Sequence, residues 1–141
     1  MPTSKILVAV STPWAGEKLF QTVSQLSANH NAPVIVVHVA KPTEQDDTPQ
    51  DTQQRGEQTV TTLASKLTDA GITTESLMLY GDDVARAVVN AAEEKQATLI
   101  LIGLSGKGTV ARWLGGDVPM QIIRQANMPV LVIPPEWSGS I

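Results

Sequence analysis

The chain has 141 residues, 42% of them hydrophobic, with a formal net charge of −4 at pH 7; that is one globular domain over 1–141, neither disordered nor dependent on staples. Cysteine is absent, which excludes disulfides, thiolate metal sites and cysteine nucleophiles and makes a reducing cytoplasm the simplest home. The acidic balance with no basic cluster argues against nucleic acid, no apolar run approaches the ~18 residues of a membrane span, and the apolar stretch after Lys5 is too short for a secretory signal.

Ile6-Leu7-Val8-Ala9-Val10 is a continuous apolar run that predicts a central parallel strand. Ser11-Thr12-Pro13 ends it, with Thr12 and Pro13 as an N-cap and first helical residue. A helix over Trp14 to Ala28 follows, with Ala15, Leu19, Val23 and Leu26 on one face and Asn29-His30-Asn31 closing it. Pro33 to Val39 reads as a second buried strand. Lys41 to Asp51 is polar and proline-containing, which predicts a mobile surface loop.

From about Thr52 a helix carries Val60, Leu63, Ala64 and Leu67 inward, and Gly71 terminates it. Ile72 to Tyr80 alternates loosely, as an edge strand does. Gly81-Asp82 caps the next helix, with Val84, Val88 and Ala91 inward and Glu93, Glu94 and Lys95 outward. The acids Asp82 and Asp83 fit an N-cap with a first-turn acid better than a metal pair. Leu99-Ile100-Leu101-Ile102 is another buried strand, and it runs into a glycine cluster beginning at Gly103. A last helix from about Asp117 buries Val118, Ile122 and Ile123, and Met128 to Ile133 forms the final strand.

Five strands alternating with four helices predict an α/β domain: one open parallel sheet with helices on both faces. In the order 3-2-1-4-5 the ligand crevice lies beyond the carboxyl ends of the strands that finish at Val10 and Ile102. The glycine cluster at that point suits close backbone approach or positive φ, and the helix from Asp117 adds unpaired amides and a positive dipole end for an anion. Neither common phosphate loop fits. Only two residues separate Gly103 from Gly106 and Lys107 precedes Gly108, so there is no P-loop, and no third glycine completes a dinucleotide fingerprint.

The spacing Gly103-x2-Gly106-x9-Gly116-Asp117 resembles the nucleotide loop of the UspA-like universal stress protein family, Gly-x2-Gly-x9-Gly-Ser/Thr, apart from its last residue. Lys5 to Val10, His38-Val39, Tyr80-Gly81-Asp82 and Met128 to Ile133 are similar to other stretches of that family. The resemblance implies the adenine nucleotide alpha hydrolase-like layering, flavodoxin-like in outline, and ATP or AMP, with or without Mg²⁺, at the crevice. It implies an adenine side of Ala9, Val10, Ser11, Val39 and Ile102. The implied phosphate side is Gly103, Ser105, Gly106, Gly116, Asp117 and Val118. It also implies a homodimer through Pro129 to Ile133, an uncharged strand whose outer backbone groups the partner would pair.

Two residues depart from the family pattern. Ser11 stands where an acid helps hold the nucleoside, and a serine donates to or accepts from a ribose hydroxyl without charge assistance. Asp117 stands where a Ser or Thr closes the phosphate loop. As an N-cap the two residue types are equivalent. Toward a phosphate at ~4 Å and an effective dielectric near 20, Asp117 repels by roughly 4 kcal/mol before relaxation, unless a shared Mg²⁺ reverses the sign.

The remaining candidates are weaker. His38 reads as a partly buried structural histidine and His30 as a helix-dipole partner. Lys107 and Arg112 are either solvated or near phosphates, and Trp113 and Trp137 are too scattered for a stacking platform. No catalytic constellation or metal ligand set emerges from two histidines so placed. The expectation is a cytoplasmic, non-enzymatic regulatory protein that binds an adenine nucleotide. The alternative is a dimeric interaction module of the same fold without nucleotide.

Overall fold

Runs of β-branched and apolar residues, bounded by turn residues, give five strands: β1 (Ile6–Ala9), β2 (Val34–Ala40), β3 (Thr74–Tyr80), β4 (Leu99–Gly103) and β5 (Val130–Ile133). The computed structural model describes residues 3–10, 13–40, 49–103, 118–134 and 137. All pairings are parallel and the order is β3-β2-β1-β4-β5, as expected. Four helices lie between them among the described residues: α1 (Pro13–His30), α2 (Pro49–Asp69), α3 (Val84–Glu94) and α4 (Val118–Gln125). No described helix is long and apolar enough to cross a membrane.

Alternation along each strand sends side chains to two separate cores. Ile6, Val8 and Val10 of the first run meet Leu19, Val23 and Leu26 of α1 and Val60, Leu63 and Leu67 of α2. Leu7 and Ala9 meet Val84, Val88 and Ala91 of α3 and Val118 and Ile122 of α4. The central strands are therefore buried on both faces, which is why their sequences read as unbroken apolar runs. On edge strand β3 the split is visible residue by residue: Leu77 and Leu79 join the α3/α4 side, Met78 the α1/α2 side.

Three helices close in the same way. Asn31, Gly71 and Gln96 take positive φ of 50°, 86° and 60°. The following amides of Ala32, Ile72 and Ala97 reach back to the carbonyls of Ser27, Leu67 and Ala92 at 3.0, 3.0 and 2.9 Å. This is the Schellman arrangement, with an apolar residue after the left-handed one. It turns each helix straight into the next strand at the amino ends of the sheet.

Three local expectations are corrected. The loop over 41–51 gives way to α2 at Pro49, since proline is tolerated in a first helical turn; residues 41–48 lie outside the described residues. Asp83, not Asp82, caps α3, and its carboxylate accepts from the Arg86 amide at 3.0 Å. Ile123 is 46% exposed rather than buried, because Val118 and Ile122, one helical turn apart, take the sheet-facing stripe of α4 and Ile123 lies about 100° around from it. Trp137, beyond β5, turns back toward α1, where its indole N–H donates to the Thr22 hydroxyl at 3.2 Å.

Candidate functional site

At their amino ends β1 and β4 are clasped together. The Lys5 amide donates to Thr98 Oγ1 at 2.9 Å and the Thr98 amide donates back to the Lys5 carbonyl at 2.8 Å. The Lys5 ammonium also donates to the Lys95 carbonyl, 3.0 Å away at the end of α3. From there the pair runs in register from Ile6↔Leu99 to Ala9↔Ile102. Beyond that point the two strands part. Val10 keeps to β2, its amide donating to the Val37 carbonyl at 2.9 Å, while Gly103 pairs with Ile133 of β5. After β1 the chain passes to a helix on one face, and the next described helix after β4 lies on the other, so the strand order reverses between the two strand ends, where sheets of this kind hold ligands.

Six residues of the expected site fall within the described chain. Ala9, Val39, Ile102 and Val118 belong to one cluster on the α3/α4 side. Val10 points the other way, toward α1, so the expected set straddles the sheet. None of the six carries a titratable side chain, and Ala9, Val10, Val39, Ile102 and Val118 are buried. These side chains are apolar and turned into the cores, so main-chain atoms are what the strand ends have to offer a polar ligand. Val118 opens α4, whose amino end lies at the same pole as the carboxyl ends of the strands. Ser11, Ser105, Gly106, Gly116 and Asp117 lie outside the described residues, as do Lys107, Arg112 and Trp113.

Gly103 has a reason that the glycine spacing did not announce. Its φ is not in the left-handed region, and a Cβ there would lie 2.7 Å from Leu19 Cδ1 and 2.9 Å from Cδ2. The glycine lets α1 close onto β4 at the crevice edge. A second feature was also missed. Nδ1 of His38 donates to the Val10 carbonyl at 2.9 Å, tying a β2 side chain to the end of β1. Strand position alone gives the partial burial of His38, but the hydrogen bond depends on register across two strands that the sequence does not specify.

Among the described residues no group of three His, Cys, Asp or Glu side chains could hold a metal ion. Asp83 caps α3, and Glu75 pairs with Lys95 at 2.8 Å near the opposite pole. That hydrogen bond and charge raise the Lys95 ammonium above its ordinary value, far from the crevice.

The universal stress protein family model matches residues 2–134. A universal stress protein of Methanocaldococcus jannaschii is 32% identical over 81 residues, which are 57% of this chain and 47% of the relative; the match spans about half the length of that curated relative. Two solved structures from Archaeoglobus fulgidus are similar over nearly their whole length. One, a universal stress protein in complex with dAMP, is 27% identical with a TM-score of 0.70, covering 94% of this chain and 99% of that one. The other, a universal stress protein, is 25% identical with a TM-score of 0.72, covering 92% and 98%. A match that runs from residue 2 to residue 134 over a sheet of this order shows that the chain belongs to the universal stress protein family.

Proposed function

We propose that this chain binds an adenine nucleotide, ATP or AMP, as a regulatory ligand in the crevice at the carboxyl ends of β1 and β4. The observation that carries the reading is the parting of those strands, Val10 toward β2 and Gly103 toward β5, at the reversal of strand order. The dAMP complex of the Archaeoglobus fulgidus relative supports it. In this reading Ala9, Val10, Ser11, Val39 and Ile102 flank the base and nucleoside. Gly103, Ser105, Gly106, Gly116, Asp117 and Val118 flank the phosphates, with the amino end of α4 favouring their charge. Mg²⁺ shared between Asp117 and the phosphates would relieve the carboxylate's repulsion. In this reading the nucleotide acts as a signal rather than as a substrate, and any turnover is slow.

Two measurements test the reading. Mass spectrometry of small molecules released from the heat-denatured protein identifies a co-purified nucleotide. Thermal melting with millimolar ATP, ADP or AMP, with and without Mg²⁺, should show stabilisation by mass action, worth about 2.7 kcal/mol at a hundredfold excess over Kd. No release and no shift would remove the nucleotide and leave the interaction-module reading.

A homodimer through Pro129 to Ile133 and a cytoplasmic setting are part of the same proposal. β5 is an edge strand in which Val130, Leu131 and Val132 are only half-buried and none is charged. An uncovered edge of that kind pairs with its own copy unless something blocks it.

A further inference from the structure

We propose that His38 is a positioning residue for the nucleoside side of the crevice, holding the end of β1 against β2 so that the gap toward β4 stays open. The proposal rests on the nucleotide reading above. The β1–β2 register ends at Ala9↔Val37, one residue before the chain leaves the sheet. Val10 is nevertheless tied at both its polar groups, and both ties run to β2. Its amide donates to the Val37 carbonyl and its carbonyl accepts from His38 Nδ1, each at 2.9 Å. A carbonyl can only accept, so Nδ1 carries the proton and the imidazole is held in one tautomer.

The ring sits in a prepared seat. Met78 is the register partner of His38 on β3. Over both lies Gly56, a glycine in the interior of α2, where alanine is the better helix former. A Cβ at position 56 would lie 3.2 Å from His38 Cδ2 and would collide with Met78 Sδ at 2.7 Å. The helix thus carries no side chain where it passes over Met78, and the edge of the imidazole lies beside that contact. Meanwhile Gly103 is drawn toward β5 by its pairing with Ile133. One strand end is held outward by a side chain and the other by its ladder.

The test compares the full chain with His38→Asn, which keeps a donor near the Nδ1 position, and His38→Leu, which removes it. In the wild type, ¹⁵N NMR of the neutral imidazole should show the Nδ1–H tautomer; an Nε2–H tautomer overturns the proposal without any variant. Calorimetry should find adenosine and AMP weakened by the same factor, about three- to tenfold, in His38→Leu, and affinities within about twofold of wild type in His38→Asn. Equal AMP affinity in His38→Leu and wild type overturns the proposal. Hydrogen exchange across residues 9–14 should quicken in His38→Leu and recover in His38→Asn, and unchanged exchange also overturns it. A wild type that binds no adenine nucleotide fails the functional reading, and the tautomer and exchange results then decide separately whether His38 holds the strand end. Should His38→Leu not fold, the wild-type tautomer and the Asn variant still decide.

Discussion

Gly103→Ala isolates why a glycine stands at the end of β4. The backbone there suits alanine, so the change acts through packing and through the unfolded chain. The new methyl would lie 2.7, 2.9 and 3.0 Å from Leu19 Cδ1, Cδ2 and Cγ, and Leu19 is only 3% exposed, with no solvent side to move into. Overpacking of this kind destabilises by about 1–3 kcal/mol, and loss of glycine's unfolded-state freedom returns about 0.4–1 kcal/mol. The net expectation is a loss of about 1–2 kcal/mol, or roughly 3–8 °C in Tm for a chain of this size. Leu19→Ala alone should lose about 2–5 kcal/mol through the cavity it leaves. In the double variant the methyl introduced by Gly103→Ala enters that cavity, so the combined loss should fall short of the sum by about 1–2 kcal/mol. Urea unfolding at constant m-value measures all four corners of the cycle. A Gly103→Ala variant as stable as the parent, or two losses that simply add, would refute the packing reason and return the glycine to the ligand.

Asp117→Ser should tighten ATP more than adenosine in Mg²⁺-free calorimetry, because it removes a charge from the phosphate side; with Mg²⁺ bound through Asp117 the same change weakens Mg·ATP, and unchanged affinities in both conditions take the position away from the phosphates. Gln96→Gly should stabilise by about 0.5 kcal/mol, the relief of left-handed strain at φ 60° less the extra freedom glycine has when unfolded, and a fall in urea midpoint would contradict it. Asp83→Ala should lose about 1 kcal/mol through the cap bond to the Arg86 amide, read by the same unfolding assay. Leu131→Lys should give a monomer or insoluble protein by light scattering; a wild-type chain that already runs as a monomer of about 15 kDa at high micromolar concentration removes the dimer.

Periodicity carried most of the architecture, because burial on both faces leaves no room for polar residues in Ile6 to Val10 or Leu99 to Ile102, and turn residues mark their ends. Boundaries were less determined. Asp82 and Asp83 are chemically equivalent caps, and only the path of the chain out of β3 selects the second. Pro49 is compatible with loop and first turn alike, so composition assigned it to the loop. Ile123 is apolar enough for a core but stands on the wrong side of α4, and a short helix shows too little of its pattern to reveal which stripe faces the sheet. At the proposed site, the family resemblance named Ala9, Val10, Ile102 and Gly103, and all four lie where β1 and β4 end. Contacts across elements, Gly103 with Leu19 and His38 with Val10 and Gly56, arise from packing between segments far apart in the chain and have no local signature.

The regular helix closures set a rule for where this chain can change its length. The helix-to-strand connections are residues 31–33, 70–73, 95–98 and 126–129, all at one pole and nearly uniform. An extra residue in one of them would have to be absorbed without slipping the next strand, since a slip by one exchanges the side chains destined for the two cores. At the opposite pole the sheet register imposes no such constraint. Segments 41–48 and 104–117 leave from strand ends there, and lengthening a connection costs only a slowly growing closure entropy. Insertions, deletions and grafted binding sequences belong at that pole, where a new ligand preference can be tried without renegotiating the sheet.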